Sequence, residues 1–492
     1  MPSGRVAGQR GLDSDALGPF AVAVQSVSFV GPAFSGLFLF PVIAIFAGIS
    51  AALAFLIAGA IILMLAVSLG TLAHRLPSAG GYFTYVTRAV GERAGLLTGW
   101  IFLIYAPIAP GFIVAYTAHV CVDALDARYG VQVPWWVVFV VAILFVTAVV
   151  YNGIRLSTGW LIGLGLVEVA VVLALALWGF ADPGPGGFSF APLSPSTDAG
   201  VNGIYLGVVF SLFAYAGWEG SVPLAEESRR PSQSVPLGLV CAVLFIVALF
   251  VVTSWGLMIG WGTDALPSLL ASEQAPPFVL AQSWWGNGWV LVLLALLNSV
   301  ICASIASFGT VSRMWFAMAR SGLGPARLAE LNPRTRTPAN AVLAQGALTL
   351  VVGLLFGLWL GPDDAFHTLI LVATLAGIAL YVAGNVAVVL LAHREGRTAK
   401  RPFAHLVFPV LTSAAVLWVG YKSLWPLPPA PERYGAIGAL AWMAIGVAVA
   451  FVAHRRGTGS WSADARLGLE ERMALELEEQ VPAASSVGRS MA

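Results

Sequence analysis

The sequence predicts an all-α membrane protein with twelve transmembrane helices, on three observations: its composition, its apolar runs and the placement of its basic residues. Of the 492 residues, 59% are hydrophobic and 10% are charged, and the mean hydropathy is +0.86. Soluble domains carry roughly 25% charged residues, so this chain has too few to cover a water-facing surface. The net charge of +1 gives no overall field that would attract nucleic acid. We therefore expect a lipid bilayer around most of the chain.

The apolar runs fix the number of spans. A hydrocarbon core of about 30 Å requires roughly 20 apolar residues per helix. By this measure the predicted spans are 20–41, 46–73, 95–120, 132–151, 158–180, 203–226, 236–260, 287–315, 339–360, 366–392, 404–425 and 435–454. The long apolar run 20–73 is divided at Pro41.

The basic residues orient these spans. With a cytoplasmic N-terminus, only Arg128, Lys422 and Arg433 of the 25 Lys and Arg residues fall outside. Such a bias is the positive-inside rule, and a wrong count of spans would scramble it. The sequence thus predicts a multi-pass protein of the cell (inner) membrane. Its N-terminal segment 1–19 and its C-terminal tail 455–492 are both predicted to be cytoplasmic.

Helix-breaking or ionisable residues in mid-membrane are costly, so they mark candidate functional sites. Gly31-Pro32 lies halfway along span one, where Pro32 has no N–H to donate to the carbonyl of Ser28. Gly217 stands between aromatic residues in span six and is followed by Glu219. Glu168 lies in the middle of span five. An ordinary proline kink, close packing at a glycine and a structural carboxyl are the alternative interpretations of these features.

Breaks in spans one and six, five helices apart, predict two inverted five-helix repeats. At each break one half-helix ends in free carbonyls and the next begins with free N–H groups. The carbonyls of Ser28 and Tyr215 suit an ammonium group, and the N–H groups of Ala33 and Phe34 suit a carboxylate. Together they predict a site for a zwitterionic amino acid.

Three ordered stretches give the sequence a family resemblance. The first is PSAGGYFTY at 77–85, continuing to Gly99-Trp100; the second runs from Phe213 to Pro236; the third runs from Ser312 to Pro338. In this order and at these depths, they resemble the signatures of the amino acid–polyamine–organocation permeases over residues 17–454. The resemblance implies the LeuT-type fold, with repeats at 20–180 and 203–392 and two peripheral helices at 404–454.

The resemblance also implies a substrate site at the broken helices and transport by alternating access. The substrate-binding positions that it implies are Ser28, Gly31, Pro32, Ala33, Phe213, Ala214, Tyr215, Gly217 and Trp218. Glu219 falls where the family often has an acidic residue, and Glu168 falls near a Lys of some proton-coupled relatives. One departure is Gly31-Pro32-Ala33 where many relatives have G-S-G or G-x-G, because Pro32 removes one N–H donor for a carboxylate.

The sequence therefore predicts a secondary active transporter of amino acids, coupled to protons through Glu168, because protonation lowers the cost of moving a carboxyl group between differently hydrated states. Sodium held by Glu168 with Ser304 and Ser307 is the alternative coupling ion. Exchange or import of cationic amines or polyamines, with Glu168 and Glu219 as counter-charges, is the alternative function. No metal or bound cofactor is predicted, and the oligomeric state is not predicted.

Other classes of protein are disfavoured. A membrane-embedded enzyme needs clustered catalytic side chains, whereas the six His residues are scattered and no H-E-x-x-H or P-loop motif occurs. A channel needs a charged ring or a filter sequence, and the chain supplies neither. A receptor-like membrane protein that does not transport remains an alternative.

Overall fold

The computed structural model describes Leu12 and residues 16–195 and 200–455. Within these ranges the regular secondary structure is helical, apart from an isolated β-bridge between Leu17 and Ser228, and turns or irregular segments join the helices. The α-helices in chain order are α1 (Pro19–Val30), α2 (Phe40–Ala47), α3 (Ala51–Arg75), α4 (Gly81–Ala89), α5 (Glu92–Phe102), α6 (Ala109–Tyr129), α7 (Trp135–Tyr151), α8 (Ile154–Ala181), α9 (Gly200–Ala214), α10 (Pro231–Trp261), α11 (Leu266–Leu270), α12 (Pro276–Trp285), α13 (Val290–Arg320), α14 (Ala339–Leu360), α15 (Pro362–Arg394), α16 (Phe408–Leu424) and α17 (Glu432–Arg455). Most of the predicted segment 1–19 and nearly all of the tail 455–492 lie outside the described residues.

Nine helical segments of the described residues are long and apolar enough to cross a membrane, three of which (Pro19–Phe38, Phe40–Arg75 and Pro276–Arg320) join successive helical elements. These confirm a multi-pass membrane protein. The other three predicted spans are not among these nine. Span four is α7, with 17 residues, the helical part of span six before its break is α9, with 15 residues, and span three is divided between α5 and α6.

The long apolar run 20–73 is interrupted at two further points beyond Gly31. A short π-helix at Phe34–Phe38 ends in a bend at Leu39, and Pro41 lies in the first turn of α2, where its missing N–H costs no helical hydrogen bond. A sharper turn follows at Gly48, whose φ of 58° and ψ of −137° suit glycine. Ala47 and Ala54 both lie against Gly207, so the chain folds back on itself between α2 and α3.

Helix α1 lies at the centre of the packing. It packs against α10 on one side and against α13 and α8 on the other. One large apolar cluster of buried side chains runs through all of these helices. This arrangement holds the break at the end of α1 in the protein interior, where its backbone groups need partners from neighbouring helices.

Candidate functional site

The break in span one is where the sequence predicts it. Helix α1 ends at Val30, and Gly31 takes a left-handed conformation with φ 67° and ψ 80°. The Gly31 N–H donates to the Ser28 carbonyl at 3.2 Å, so Ser28 ends the helix in a tight turn. The Ser35 hydroxyl then donates to the Val30 carbonyl at 2.7 Å. Side chains and local turns thus pair backbone groups that the break frees.

The break in span six lies directly against it. Helix α9 ends at Ala214, and the chain passes through turns to a 3₁₀ helix at Val222–Glu227. Gly217 has φ +95°, and a Cβ atom there would lie 3.1 Å from the Phe29 carbonyl oxygen and 2.9 Å from its ring. Glycine is needed at this position for both reasons, backbone conformation and close approach.

We expect Gly217→Ala to lower stability by about 1–3 kcal/mol, because it combines a strained backbone conformation with a clash against Phe29. The melting temperature of the purified protein measures this effect. Gly163→Ala is the matched control, because Gly163 lies within α8 and has no neighbouring atom within 4 Å of an added Cβ. Equal melting temperatures for the two variants would contradict the close contact between the breaks.

A third break, which the sequence analysis missed, divides span three between Phe102 and Ala109. Its freed carbonyls are paired, because Ser307 donates to the Ala106 carbonyl at 3.2 Å and Gln345 donates to the Pro107 carbonyl at 2.8 Å. The available signal was Pro107 and Pro110, two prolines three residues apart within one apolar span. This break places Tyr105 beside the other two.

The three breaks wall a cavity of about 110 Å³. A buried water needs about 10–15 Å³ in the same measure, so the cavity has room for a small organic molecule. Its walls are mostly apolar and aromatic, with Phe29, Phe34, Phe112, Phe213 and Ile62 among them. No Asp, Glu, Lys, Arg or His of the described residues lines it directly.

Glu219 sits just behind this wall and holds two tyrosines that do line the cavity. The Tyr105 hydroxyl donates to Glu219 Oε1 at 2.6 Å, and the Tyr381 hydroxyl donates to Oε2 at 3.3 Å. The two hydroxyls are 3.0 Å apart, and Glu219 is 7% exposed. The cluster ties the break of span three to the break of span six and to α15.

Glu168 is the second carboxyl group, and it caps the break of span one. The Ala33 N–H donates to Glu168 Oε1 at 2.7 Å, and the Asn298 amide donates to Oε2 at 3.4 Å. Ser299, the next residue on α13, accepts the Phe34 N–H at its Oγ at 3.1 Å. Through these hydrogen bonds, Glu168 joins α8 to α13 and to the start of the second half of span one. Its side chain is 1% exposed.

The structure brings together most of the predicted site residues, in different roles. Gly31, Phe213 and Gly217 line the cavity. Four other predicted residues lie at or next to the breaks but do not line the cavity: Ser28, Pro32, Ala33 and Ala214. Trp218 is fully buried with its ring 6.0 Å from that of Tyr381.

Other predicted residues lie farther from the cavity. Tyr215 points away from it and donates to the Phe55 carbonyl at 2.9 Å. The Ser304 hydroxyl donates to the Val300 carbonyl and the Ser307 hydroxyl to the Ala106 carbonyl. The α13 residue that hydrogen-bonds to Glu168 is Asn298. The hydroxyl groups of Ser304 and Ser307 thus donate to backbone carbonyls and not to Glu168. Asn298, Ser299, Tyr105 and Tyr381 are the neighbours that the sequence analysis did not identify.

The three motif stretches converge beyond the breaks in a layer of ion pairs. Arg313 makes two hydrogen bonds to Glu227, at 2.7 and 3.0 Å, with both side chains fully buried. Arg320 pairs with Glu226 at 2.7 Å, and Glu226 also accepts the Ala79 N–H at 3.2 Å. These paired motif residues therefore hold one end of the bundle together, whereas Phe213 and Gly217 at the start of the second stretch line the cavity.

Comparison with known proteins gives a consistent result. The sequence model described as "Amino acid permease" matches residues 34–423. The chain is 28% identical over 323 residues to the uncharacterized amino acid permease YecA of Bacillus subtilis (strain 168), covering 64% of this chain and 71% of that protein. It is 23% identical over 397 residues to the low-affinity putrescine importer PlaP of Escherichia coli (strain K12), with coverage of 78% and 82%. It is 25% identical over 433 residues to the branched-chain amino acid permease BcaP of Lactococcus lactis subsp. cremoris (strain MG1363), with coverage of 82% and 87%.

Proposed function

Because the chain belongs to the amino acid permease family, we propose that it is a secondary active transporter, which moves an amino acid or amine across the cell membrane by alternating access. It is a transporter and not an enzyme. The observation that carries the proposal is the close approach of Gly217, in the break of span six, to Phe29 near the end of α1, beside a cavity with room for a small molecule. The names of its relatives, which include amino acid permeases and a putrescine importer, support this substrate range.

The proposal includes a membrane arrangement. Twelve spans form two inverted repeats, 20–180 and 203–392, followed by two peripheral helices at 404–454, and both termini are cytoplasmic. The contact between the breaks of spans one and six supports this pairing of repeats, because inverted repeats place their discontinuous helices at a shared interface. The ion-pair layer then lies on the cytoplasmic side, where the basic residues are predicted to be.

We propose that protons drive transport through Glu168. An ionised carboxylate accepts the Ala33 N–H in a charge-assisted hydrogen bond, which is roughly twice as strong as a neutral one. Protonation weakens this bond and so loosens span one from α8 and α13. The proton would therefore alter the same contacts that must rearrange when the site changes its access.

Uptake into proteoliposomes with an imposed pH gradient tests this function. Wild-type protein should accumulate substrate above the level reached without a gradient. Glu168→Gln should lose that accumulation, because the amide cannot release a proton, yet it should retain exchange between equal pools. Glu395→Gln is the matched control, because Glu395 lies at the end of α15 and pairs with Arg75 at 3.0 Å. Undiminished proton-driven accumulation by Glu168→Gln would exclude Glu168 as the coupling site.

A further inference from the structure

The backbone donors at the break of span one are already occupied. Pro32 has no N–H, the Ala33 N–H donates to Glu168 at 2.7 Å, and the Phe34 N–H donates to Ser299 at 3.1 Å. The neighbouring N–H groups of Gly31 and Ser35 donate to the carbonyls of Ser28 and Gly31, at 3.2 and 2.8 Å. The donors that would bind an amino acid's carboxylate at this break therefore already have acceptors.

Glu168 is well held in this position. Its carboxyl group also receives a hydrogen bond from the Asn298 amide at 3.4 Å. It comes from α8, 135 residues away from Ala33 along the chain, and it is 1% exposed. A carboxylate at the start of a helical segment is stabilised by the exposed N–H dipoles. The protein thus supplies its own carboxylate where the substrate's would bind.

The charges around the cavity favour the same conclusion. Two buried carboxyl groups bond to the walls of this region: Glu168 to the Ala33 N–H of the span-one break, and Glu219 to the lining residues Tyr105 and Tyr381. Among the described residues, no basic side chain lines the cavity to offset these carboxyl groups. When these carboxyl groups are ionised, a second carboxylate entering this space would be repelled, whereas an ammonium group would be attracted. The aromatic and aliphatic walls suit an apolar body attached to that ammonium group.

Resting on the transport function proposed above, we infer that the substrate is a primary amine with an apolar body and no α-carboxylate. Glu168 takes the place of the carboxylate, and the ammonium group lies among the carbonyls of the breaks, whose oxygens have a second lone pair beyond the hydrogen bond that they already accept. At neutral pH such an amine is a cation, as the lysine side chain is.

Matched pairs of ligands test this inference on the purified full-length protein. The pairs are leucine with 3-methylbutylamine and phenylalanine with 2-phenylethylamine, each of which differs only in the carboxylate. Thermal shift gives the affinity, since a ligand that binds the folded state raises its melting temperature. Wild-type protein should bind each amine at least about tenfold more tightly than its parent amino acid, which is the scale of one hydrogen bond to a charged group.

A variant then reverses the preference. Glu168→Ala frees the Ala33 N–H and removes a negative charge, so it should gain affinity for the amino acids and lose affinity for the amines. Glu168→Gln keeps an acceptor for that N–H and should bind the amino acids as poorly as wild type does. Wild-type protein that binds amino acids as tightly as the amines, or more tightly, overturns the inference and leaves transport intact. If neither member of either pair binds or exchanges, the transport function itself fails, and the inference fails with it.

Discussion

Replacing Arg313 by Met is expected to lower stability by about 3–5 kcal/mol, which is the scale for breaking a buried ion pair by removing one partner. Arg313 and Glu227 are 0% and 1% exposed, and the pair is bidentate, with distances of 2.7 and 3.0 Å. Without Arg313, the Glu227 carboxylate would remain buried beside an apolar side chain. The expected result is a large fall in the melting temperature and in the yield of folded protein.

Two further variants distinguish the effect of breaking the buried ion pair from the effect of losing an arginine elsewhere. Arg397→Met removes an exposed arginine that pairs with Glu395 at 3.3 Å, and exposed pairs contribute roughly 0–1 kcal/mol. The double substitution Arg313→Met with Glu227→Met removes both charges and should recover much of the loss. If Arg313→Met melts at the same temperature as Arg397→Met, the buried pair does not hold this end of the bundle.

Tyr105→Phe is expected to reduce the transport rate by about 10- to 100-fold while leaving the protein folded. The substitution removes the 2.6 Å hydrogen bond to Glu219, and a hydrogen bond to a charged group is worth about 1.5–3 kcal/mol. The lost bond joins the breaks of spans three and six beside the cavity, so its loss should affect the cycle more than the fold. Initial rates of uptake at equal protein density measure this effect.

Tyr116→Phe is the matched control. Tyr116 lies on α6, and its ring stacks on that of Phe366 with centroids 4.3 Å apart, so the substitution keeps the packing and removes only a hydroxyl group. Its transport rate should stay near that of wild type. Equal rates for the Tyr105 and Tyr116 variants would show that the Glu219 cluster has no part in transport.

Local chemistry made two of the breaks predictable. Gly31-Pro32 and Gly217 disrupt helical hydrogen bonding whatever surrounds them, so the sequence was enough to locate the ends of α1 and α9. The same signal was present at Pro107 and Pro110, but the surrounding apolar run was interpreted as one continuous span. Helix breaks of this kind can therefore be predicted from sequence if proline and glycine positions are considered before an apolar run is assigned as one continuous helix.

The partners of the buried groups could not be predicted in the same way. Glu168 was identified as a mid-membrane carboxyl group, but its bond to Ala33 joins residues 135 positions apart. Likewise, Arg313 belongs to the third motif and Glu227 to the second, and only the packing of α13 against the 3₁₀ helix at Val222–Glu227 brings them together. The position of a buried ionisable residue along its span can be predicted from sequence. Its hydrogen-bond partner cannot, because the partner depends on how the helices pack.

Counterflow into proteoliposomes tests the central claim most directly, because it needs no assumption about the coupling ion. Vesicles loaded with an unlabelled amine or amino acid should take up the same labelled compound transiently and saturably. Gly217→Ala should abolish this uptake, and Gly163→Ala should preserve it. If wild-type protein gives no counterflow with any common amino acid or its decarboxylated amine, the chain does not transport this class of molecule at the broken helices.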